Sequence, residues 1–204
     1  EVVILDMAII AVIAFIVGSR LFHVFFEAPA YYWEDPIRIL YFWQGGFVSL
    51  GAFIGAIIGW TAYLKIKKLE IARYLDLGAL VAPFAIFFVR IGCLLTGCCY
   101  GKPTDFFFHL TFTNPESTAY YYHPNVPLHA TQVYNMMNAV LMFFVLLFVY
   151  KKRKFFGQVA SVFLIYYAIS RFLIEFLRGD SDRGVYFGGL ISTGQIVMVL
   201  GLIG

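Results

Sequence analysis

Long apolar runs alternate with short polar segments along the whole chain. Six of the runs are long enough to cross about 30 Å of hydrocarbon as helices. They span residues 2–26, 47–64, 75–95, 133–150, 159–177 and 190–203. The pattern predicts an all-α fold, a polytopic transmembrane helix bundle with six spans. We expect residues 1–204 to form a single transmembrane domain.

Composition supports a surface solvated by lipid rather than by water. Hydrophobic residues make up 61% of the chain and charged residues only 13%, whereas a soluble domain carries about 25% charged residues. The net charge of +3 is small, so nucleic acid is not expected as a partner.

The positions of lysine and arginine predict how the spans are oriented. Two short loops carry clusters of cations, which are Lys65, Lys67, Lys68 and Arg73 in one loop and Lys151, Lys152, Arg153 and Lys154 in the other. Short loops rich in lysine and arginine face the cytoplasm. The alternate segments 27–44, 100–129 and 179–188 are therefore expected on the outer face.

The predicted outer segments are rich in tyrosine and tryptophan, which favour headgroup depth. We expect 27–45 to be an interfacial segment, with a helix over 36–43. Residues 100–129 are expected to form a small extracytoplasmic head, because 104–127 is too polar and too interrupted by proline to span.

The chain begins at Glu1 directly with an apolar run and without an initiator methionine. We therefore expect it to be part of a longer chain, with a further helix before Glu1.

Ionisable residues concentrate at the predicted outer half of the spans, where exposure to lipid is costly. They are Arg20, His23, Arg90, Arg171, Glu175 and Arg178. Arg171, Glu175 and Arg178 follow i, i+4 and i, i+3 spacing, so they share one helical face. Two cations to one anion leave a positive surplus, and guanidinium groups hold phosphate well. The alternative is that Glu175 neutralises an arginine to join two helices.

The segment R-I-G-C-L-L-T-G-C-C-Y-G follows at 90–101. Its glycines, Gly92, Gly97 and Gly101, permit close backbone approach to another helix or to a headgroup. The spacing C-x4-C-C of Cys93, Cys98 and Cys99 is not a paired C-x2-C zinc pattern, and no metal or organic cofactor is indicated.

Two helix entries carry further candidates. Gly45, Gly46 and Ser49 open the second predicted span, where glycines also suit a flexible loop. His129 and Gln132 open the fourth, with Thr131 as a candidate N-cap, and a polar helix start explains them equally well.

The motifs together resemble one family, the prolipoprotein diacylglyceryl transferases. The similar pieces are G-S-R-L-F-H-V at 18–24, G-G-F-V-S-L-G at 45–51, R-I-G-C-L-L-T-G-C-C-Y-G at 90–101, P-L-H-A-T-Q-V-Y at 127–134, Y-A-I-S-R-F-L-I-E-F-L-R-G-D at 167–180 and S-T-G-Q at 192–195. The resemblance implies seven spans in the full chain.

The resemblance also implies site residues and substrates. The expected catalytic residues are Arg90, Arg171, Tyr167 and Glu175, which match family positions, and His129, which is a candidate from its placement. The expected substrate contacts are Arg20, His23, Gly45, Gly46, Ser49, Gly92, Gly97, Gly101, Gln132, Arg178 and Gly194. The implied partners are phosphatidylglycerol, the lipobox segment of a prolipoprotein and membrane lipid, and the implied location is the bacterial inner membrane with the site facing the periplasm.

The chain departs from the family pattern at several positions. Leu50 stands where relatives usually have histidine or an aromatic residue, Cys93 replaces an asparagine, and Asn135 replaces a glutamate; Leu128 and Ala130 replace the usual arginine and proline beside His129. Leu50 leaves the proton acceptor open, with His129 or His23 as alternatives.

In the implied reaction the protein substrate supplies the thiol, and Arg90 and Arg171 clamp the lipid phosphate while glycerol-1-phosphate departs. One alternative is a paralogue that binds lipid or a membrane partner with lost or altered transfer, which Leu50, Ala130 and Asn135 favour. The other is a small transporter, which intramembrane arginine and glutamate also suit; the lack of inverted repeats and the one-sided charge weigh against it.

Overall fold

The computed structural model describes residues 2–180 and the short segments 185–186 and 191–192. It contains two compact units, Glu1–Ile71 and Ala72–Gly204.

The first unit consists of two long helices joined by short helical turns. Helix α1 covers Val2–Phe22 and continues as a π-helical turn, His23–Glu27; α2 covers Pro29–Glu34, and α3 covers Ser49–Ile66. Two 3-10 turns, Pro36–Leu40 and Phe42–Gln44, replace the single interfacial helix predicted over 36–43. The prediction was wrong because Tyr41, at φ −83° and ψ 68°, leaves helical geometry between them.

Small residues allow α1 and α3 to pack closely. A Cβ added to Gly18 would lie 2.5 Å from the carbonyl oxygen of Gly51, so only glycine fits this crossing. At the other end of the pair, Trp60 Nε1 donates to the carbonyl oxygen of Met7 at 2.8 Å, and the Tyr63 hydroxyl donates to Asp6.

The second unit contains three long helices, α4 (Ile71–Thr96), α6 (Thr131–Lys152) and α7 (Gln158–Glu175). Ala79, Met142, Leu146 and Val159 form its buried apolar core. Buried Asp76 on α4 accepts hydrogen bonds from the backbone N–H groups of Gly157 and Ala160, at 3.0 and 2.9 Å, and thereby caps α7.

The segment between α4 and α6 folds as a short connector with its own small core. Strand β1, His109–Thr111, pairs antiparallel with β2, Pro127–His129, and helix α5, Thr118–Tyr122, lies between them in sequence. Tyr100, Ala119 and Leu128 are buried together. A two-residue strand β3, Val185–Tyr186, pairs with β4, Ile191–Ser192.

Four helices in the described part of the chain are long and apolar enough to cross a membrane. They are Val2–Glu27, Ile71–Thr96, Thr131–Lys152 and Gln158–Glu175. Large apolar side chains on them, such as Phe88 and Val12, are exposed, as lipid-facing residues are. A helical membrane protein is therefore confirmed.

The predicted count of six membrane spans is not confirmed. The second predicted span corresponds to α3, Ser49–Ile66, of which the part with described side chains, Gly51–Ile66, is apolar but shorter than the other four helices. The sixth, 190–203, lies outside the described residues except for Ile191 and Ser192.

Candidate functional site

A Schellman motif ends helix α4 and turns the chain back on itself. The N–H of Gly97 donates to the carbonyl of Leu94 at 3.2 Å, and the N–H of Cys98 donates to the carbonyl of Cys93 at 3.0 Å. Gly97 has φ +66°, the left-handed conformation that this motif requires after the last helical residue. The reversal places residues 98 and 99 beside the last turn of α4.

The first turn of α6 fixes this reversed loop. Thr131 Oγ1 donates to the carbonyl oxygen of Cys99 at 2.7 Å, and Gln132 Nε2 donates to that of Cys98 at 2.8 Å. Both side chains are fully buried. The N-cap prediction for Thr131 was wrong: Ala130 occupies the cap position, and the Thr131 hydroxyl bonds to the loop instead.

The reversal also gathers the three cysteines. The Sγ atoms of Cys93, Cys98 and Cys99 lie within 4.8 Å of one another, and all three residues are half-buried. Hydrogen bonds from the other two thiols lower the pKa of the Cys99 thiol, and the charges of Arg178 and Arg90 lower it further, against the effect of burial. The spacing of the cysteines in the sequence does not predict this cluster, because the cluster forms only when the chain turns at Gly97.

Gly101 lies where three segments meet. Lys102 N–H donates to the carbonyl of Leu177, and Gly179 N–H donates to that of Tyr100. A Cβ added to Gly101 would lie 2.4 Å from both the Cβ and the carbonyl oxygen of His129. Gly101 therefore permits close packing of the loop, β2 and the end of α7.

An ion-pair chain follows the end of α7. Glu175 pairs with Arg171 and, at 3.7 Å, with Arg178. Arg178 Nε also donates to Asp180 Oδ1 at 2.9 Å. The i, i+4 and i, i+3 contacts are as predicted, but the spacing of charges along α7 did not indicate Asp180. Because two carboxylates meet two guanidinium groups, these ion pairs carry no positive surplus within the described residues.

Arg90 supplies the surplus. Its Nε is buried and, within the described residues, has no hydrogen-bond partner. Its NH1 lies 4.0 Å from Cys93 Sγ, one helical turn further along α4. Arg90 is also within electrostatic range of Arg171. Guanidinium groups from α4 and α7 thus share one region of the second unit.

Tyr167 on α7 and His129 at the end of β2 lie at different places in the second unit. Tyr167 precedes Arg171 by one turn, interacts electrostatically with it, and stacks on Phe163 with ring centroids 5.8 Å apart. His129 Nδ1 lies 3.4 Å from the Tyr134 hydroxyl, which donates to the carbonyl of Phe108 at 2.9 Å.

Arg20, in the first unit, binds backbone rather than a carboxylate. Its five N–H donors are directed at the carbonyl oxygens of Arg38, Ile39, Tyr41, Gly45 and Gly46. The residue is 3% exposed. Its guanidinium also lies 5.1 Å from the centre of the Tyr32 ring. Arg20 therefore holds the segment 38–46 in place.

A cavity of about 210 Å³ lies beside this segment, lined by Arg20, His23, Tyr31, Tyr32, Gly45 and Gly46. His23 Nδ1 lies 3.1 Å from the Tyr32 hydroxyl, and its Nε2 lies 3.8 Å from Glu27. Gly46 has φ +77°, and a Cβ there would lie 2.7 Å from the Arg20 guanidinium. A side chain at 46 would fill the cavity.

Three predicted substrate contacts remain, and they are Gly92, Ser49 and Gly194. A Cβ on Gly92 would meet nothing within 4 Å, so this turn of α4 borders open space. Ser49 begins α3, but its side chain, like that of Leu50, lies outside the described part. Gly194 lies outside the described residues altogether.

The second unit thus defines a helical membrane protein in which Arg90, Arg171 and Arg178 lie near a cluster of thiols. Buried guanidinium groups suit an oxyanion such as phosphate. The chain belongs to the prolipoprotein diacylglyceryl transferase family, whose family model matches residues 1–204.

Three curated relatives are named phosphatidylglycerol–prolipoprotein diacylglyceryl transferases. The protein of Clostridium tetani is 36% identical over 98% of this chain and 77% of its own length. That of Bordetella parapertussis is 33% identical over 96% and 73%. The protein of Clostridium perfringens, whose name carries the number 2, is 33% identical over 98% and 75%.

Proposed function

We propose that this protein transfers the diacylglyceryl group of phosphatidylglycerol to the cysteine thiol of a prolipoprotein. Family membership over the whole chain and the names of its relatives support this activity. The reaction forms a bond between sulfur and the glyceryl carbon. It breaks the bond from that carbon to a phosphate oxygen and releases glycerol-1-phosphate, while the thiol proton is lost.

The observation that carries the proposal is the buried Nε of Arg90, which has no partner among the described residues. A buried donor left unpaired costs about 1–3 kcal/mol, and more when it is charged. A phosphate oxygen would remove that penalty. In our proposal Arg90 binds the phosphate of the lipid and stabilises the charge that develops on the leaving group.

Arg171, Glu175 and Arg178 are proposed to support Arg90. Glu175 contacts both arginines, so it fixes their guanidinium groups in one orientation. The charge of Arg171 lies close enough to interact with that of Arg90, so Arg171 would add positive charge beside the phosphate. Tyr167, one turn before Arg171, is proposed to orient it.

Gly92 and the cavity beside Gly46 are proposed to accommodate substrate. Gly92 borders open space next to Arg90, where an acyl chain or glyceryl group fits. The cavity of about 210 Å³ lined by His23 and Arg20 offers polar groups to a headgroup or peptide. His129 or His23 is proposed to accept a proton.

Location is proposed from charge alone. The cationic loop residues, including Lys67 and Lys152, are expected on the cytoplasmic side. We therefore propose that Arg90 and the connector 100–129 face the periplasmic side of the inner membrane. The protein would then meet lipoprotein precursors as they emerge.

The test is a transfer assay with the purified chain. Phosphatidylglycerol vesicles and a synthetic lipobox peptide are incubated with the protein, and the peptide mass is followed. We expect a mass increase of one diacylglyceryl group on cysteine and none on a peptide with serine in its place. Arg90→Gln should abolish most transfer, whereas Arg73→Gln, an exposed arginine at the other end of α4, should not. Absence of product from the wild-type protein contradicts the proposal.

A further inference from the structure

The cluster of Cys93, Cys98 and Cys99 has no role in the proposed reaction so far. Three sulfurs within 4.8 Å are close to the arrangement that a thiolate-bound metal imposes. A tetrahedral zinc ion with bonds of about 2.3 Å holds its sulfurs about 3.8 Å apart. Small side-chain rotations therefore suffice to bring the three sulfurs into contact with one ion.

The backbone around the cluster is fixed in advance. Thr131 and Gln132 hold the carbonyls of Cys99 and Cys98, and the Schellman hydrogen bond holds Cys98 to Cys93. Cys99 has φ +57°, a conformation that is rare for a residue other than glycine. Such strain, kept by several hydrogen bonds, is common at ligand sites, and a metal site benefits from ligands that are already placed.

The number of ligands indicates the kind of site. Structural zinc sites have four protein ligands, whereas catalytic sites have three and leave one position open. Among the described residues, no further histidine, cysteine, aspartate or glutamate joins this group. A trithiolate set therefore matches a soft, thiophilic ion with a free position.

The positive charges near the cysteines are consistent with a thiolate-bound zinc ion. Zinc bound by three thiolates keeps one net negative charge, and a fourth thiolate adds another. The guanidinium groups of Arg178 and Arg90 act electrostatically on Cys99, so they offset the excess negative charge.

We propose that Cys93, Cys98 and Cys99 bind a zinc ion whose fourth position receives the incoming prolipoprotein cysteine. This inference rests on the proposed function. Coordination deprotonates a thiol outright at neutral pH, so on binding the substrate sulfur passes its proton to His129, His23 or water. The thiolate then attacks the glyceryl carbon, the carbon to phosphate-oxygen bond breaks, and glycerol-1-phosphate leaves with that electron pair.

The geometry joins the two sites. Arg90 NH1 lies 4.0 Å from Cys93 Sγ, so a phosphate at Arg90 and a thiolate on the ion would be neighbours. Nucleophile and leaving group are thereby held side by side. The ion also compensates for Leu50, since a metal-bound thiol gives up its proton at neutral pH to His129, His23 or water and needs no stronger base.

The test uses cobalt as a spectroscopic substitute for zinc in the purified full chain. We expect about one equivalent of Co²⁺ to give sulfur-to-cobalt charge-transfer absorption. Cys93→Ser and Cys98→Ser should each weaken binding at least about tenfold, and the triple serine variant should show no such band. Thermal unfolding checks that each variant is folded. Absence of the band from folded wild-type protein overturns the inference.

A second readout tests the open position. A lipobox peptide with cysteine should shift the cobalt spectrum, and the same peptide with serine should not. An unchanged spectrum with both peptides overturns the role of the ion in substrate binding.

Transfer activity then separates the two proposals. Stripping the metal with a chelator should lower the transfer rate at least about tenfold, and added zinc should restore it. Undiminished transfer by metal-free protein overturns the zinc inference but leaves the proposed function intact. Zinc-loaded protein that binds the cysteine peptide yet forms no product would instead contradict the proposed function.

Discussion

Gln132 Nε2 on the first turn of α6 donates a hydrogen bond of 2.8 Å to the carbonyl oxygen of Cys98. This bond ties α6 to the loop that follows α4. Because Gln132 is fully buried, its amide serves the loop, and the contact with substrate expected from the sequence stays a prediction.

We predict that Gln132→Leu destabilises the protein by about 1–3 kcal/mol, since it removes the donor to the carbonyl of Cys98. Gln132→Glu, whose ionised carboxylate has no donor, should lower the stability as well. Chemical denaturation in detergent measures the change. Unaltered stability of both variants would show that the loop does not depend on this bond.

Two glycines on either side of the cysteines should respond differently to alanine. At Gly101 a Cβ would collide with His129 at 2.4 Å, whereas at Gly92 it would meet nothing within 4 Å. We expect Gly101→Ala to lower stability by about 1–3 kcal/mol and Gly92→Ala to leave it unchanged. If Gly92 borders bound lipid, Gly92→Ala should still reduce transfer. Thermal unfolding and the transfer assay together distinguish packing from substrate binding.

Arg20 should act on the segment 38–46 through its hydrogen bonds to backbone. Lysine keeps the charge but cannot reach five carbonyls with a planar fork. We predict that Arg20→Lys speeds amide hydrogen exchange throughout this segment. The matched control is Arg38→Gln, because the Arg38 side chain lies against Asp35 and Tyr31 and only its carbonyl meets Arg20. Equal exchange in the two variants would contradict the role given to Arg20.

Asp76 should be structural only. Its carboxylate caps α7 through Gly157 and Ala160 and pairs with Arg153 at 3.7 Å. Asp76→Asn removes the charge and one acceptor oxygen, so we expect a loss of about 1–3 kcal/mol in unfolding free energy. Transfer per folded molecule should be unchanged, which activity normalised to the folded fraction measures. A large loss of specific activity would refute this assignment.

The sequence predicted those features that depend on local spacing. Helical periodicity and hydropathy located α1, α4, α6 and α7, and the i, i+4 rule identified the contact between Arg171 and Glu175. These features need only residues a turn apart or a continuous apolar run.

Features that depend on chain reversal or on backbone acceptors escaped prediction. The cysteine cluster requires the left-handed turn at Gly97. The neutralising role of Asp180 requires the chain to bend after Arg178, and the five carbonyls around Arg20 come from a non-helical segment. Spacing along the sequence does not indicate these three features, because each side chain contacts a partner whose position depends on the folded backbone.

Arg90 is proposed to hold the phosphate of phosphatidylglycerol, and equilibrium lipid binding is the sharpest test of this role. The affinity of purified protein for phosphatidylglycerol is compared among wild type, Arg90→Gln and the control Arg73→Gln, with diacylglycerol as the lipid that lacks a phosphate. A hydrogen bond to a charged group contributes about 1.5–3 kcal/mol. We predict that Arg90→Gln binds phosphatidylglycerol at least about tenfold more weakly, with Arg73→Gln and diacylglycerol binding unaffected. Equal affinity of wild type and Arg90→Gln for phosphatidylglycerol would show that Arg90 does not bind the phosphate.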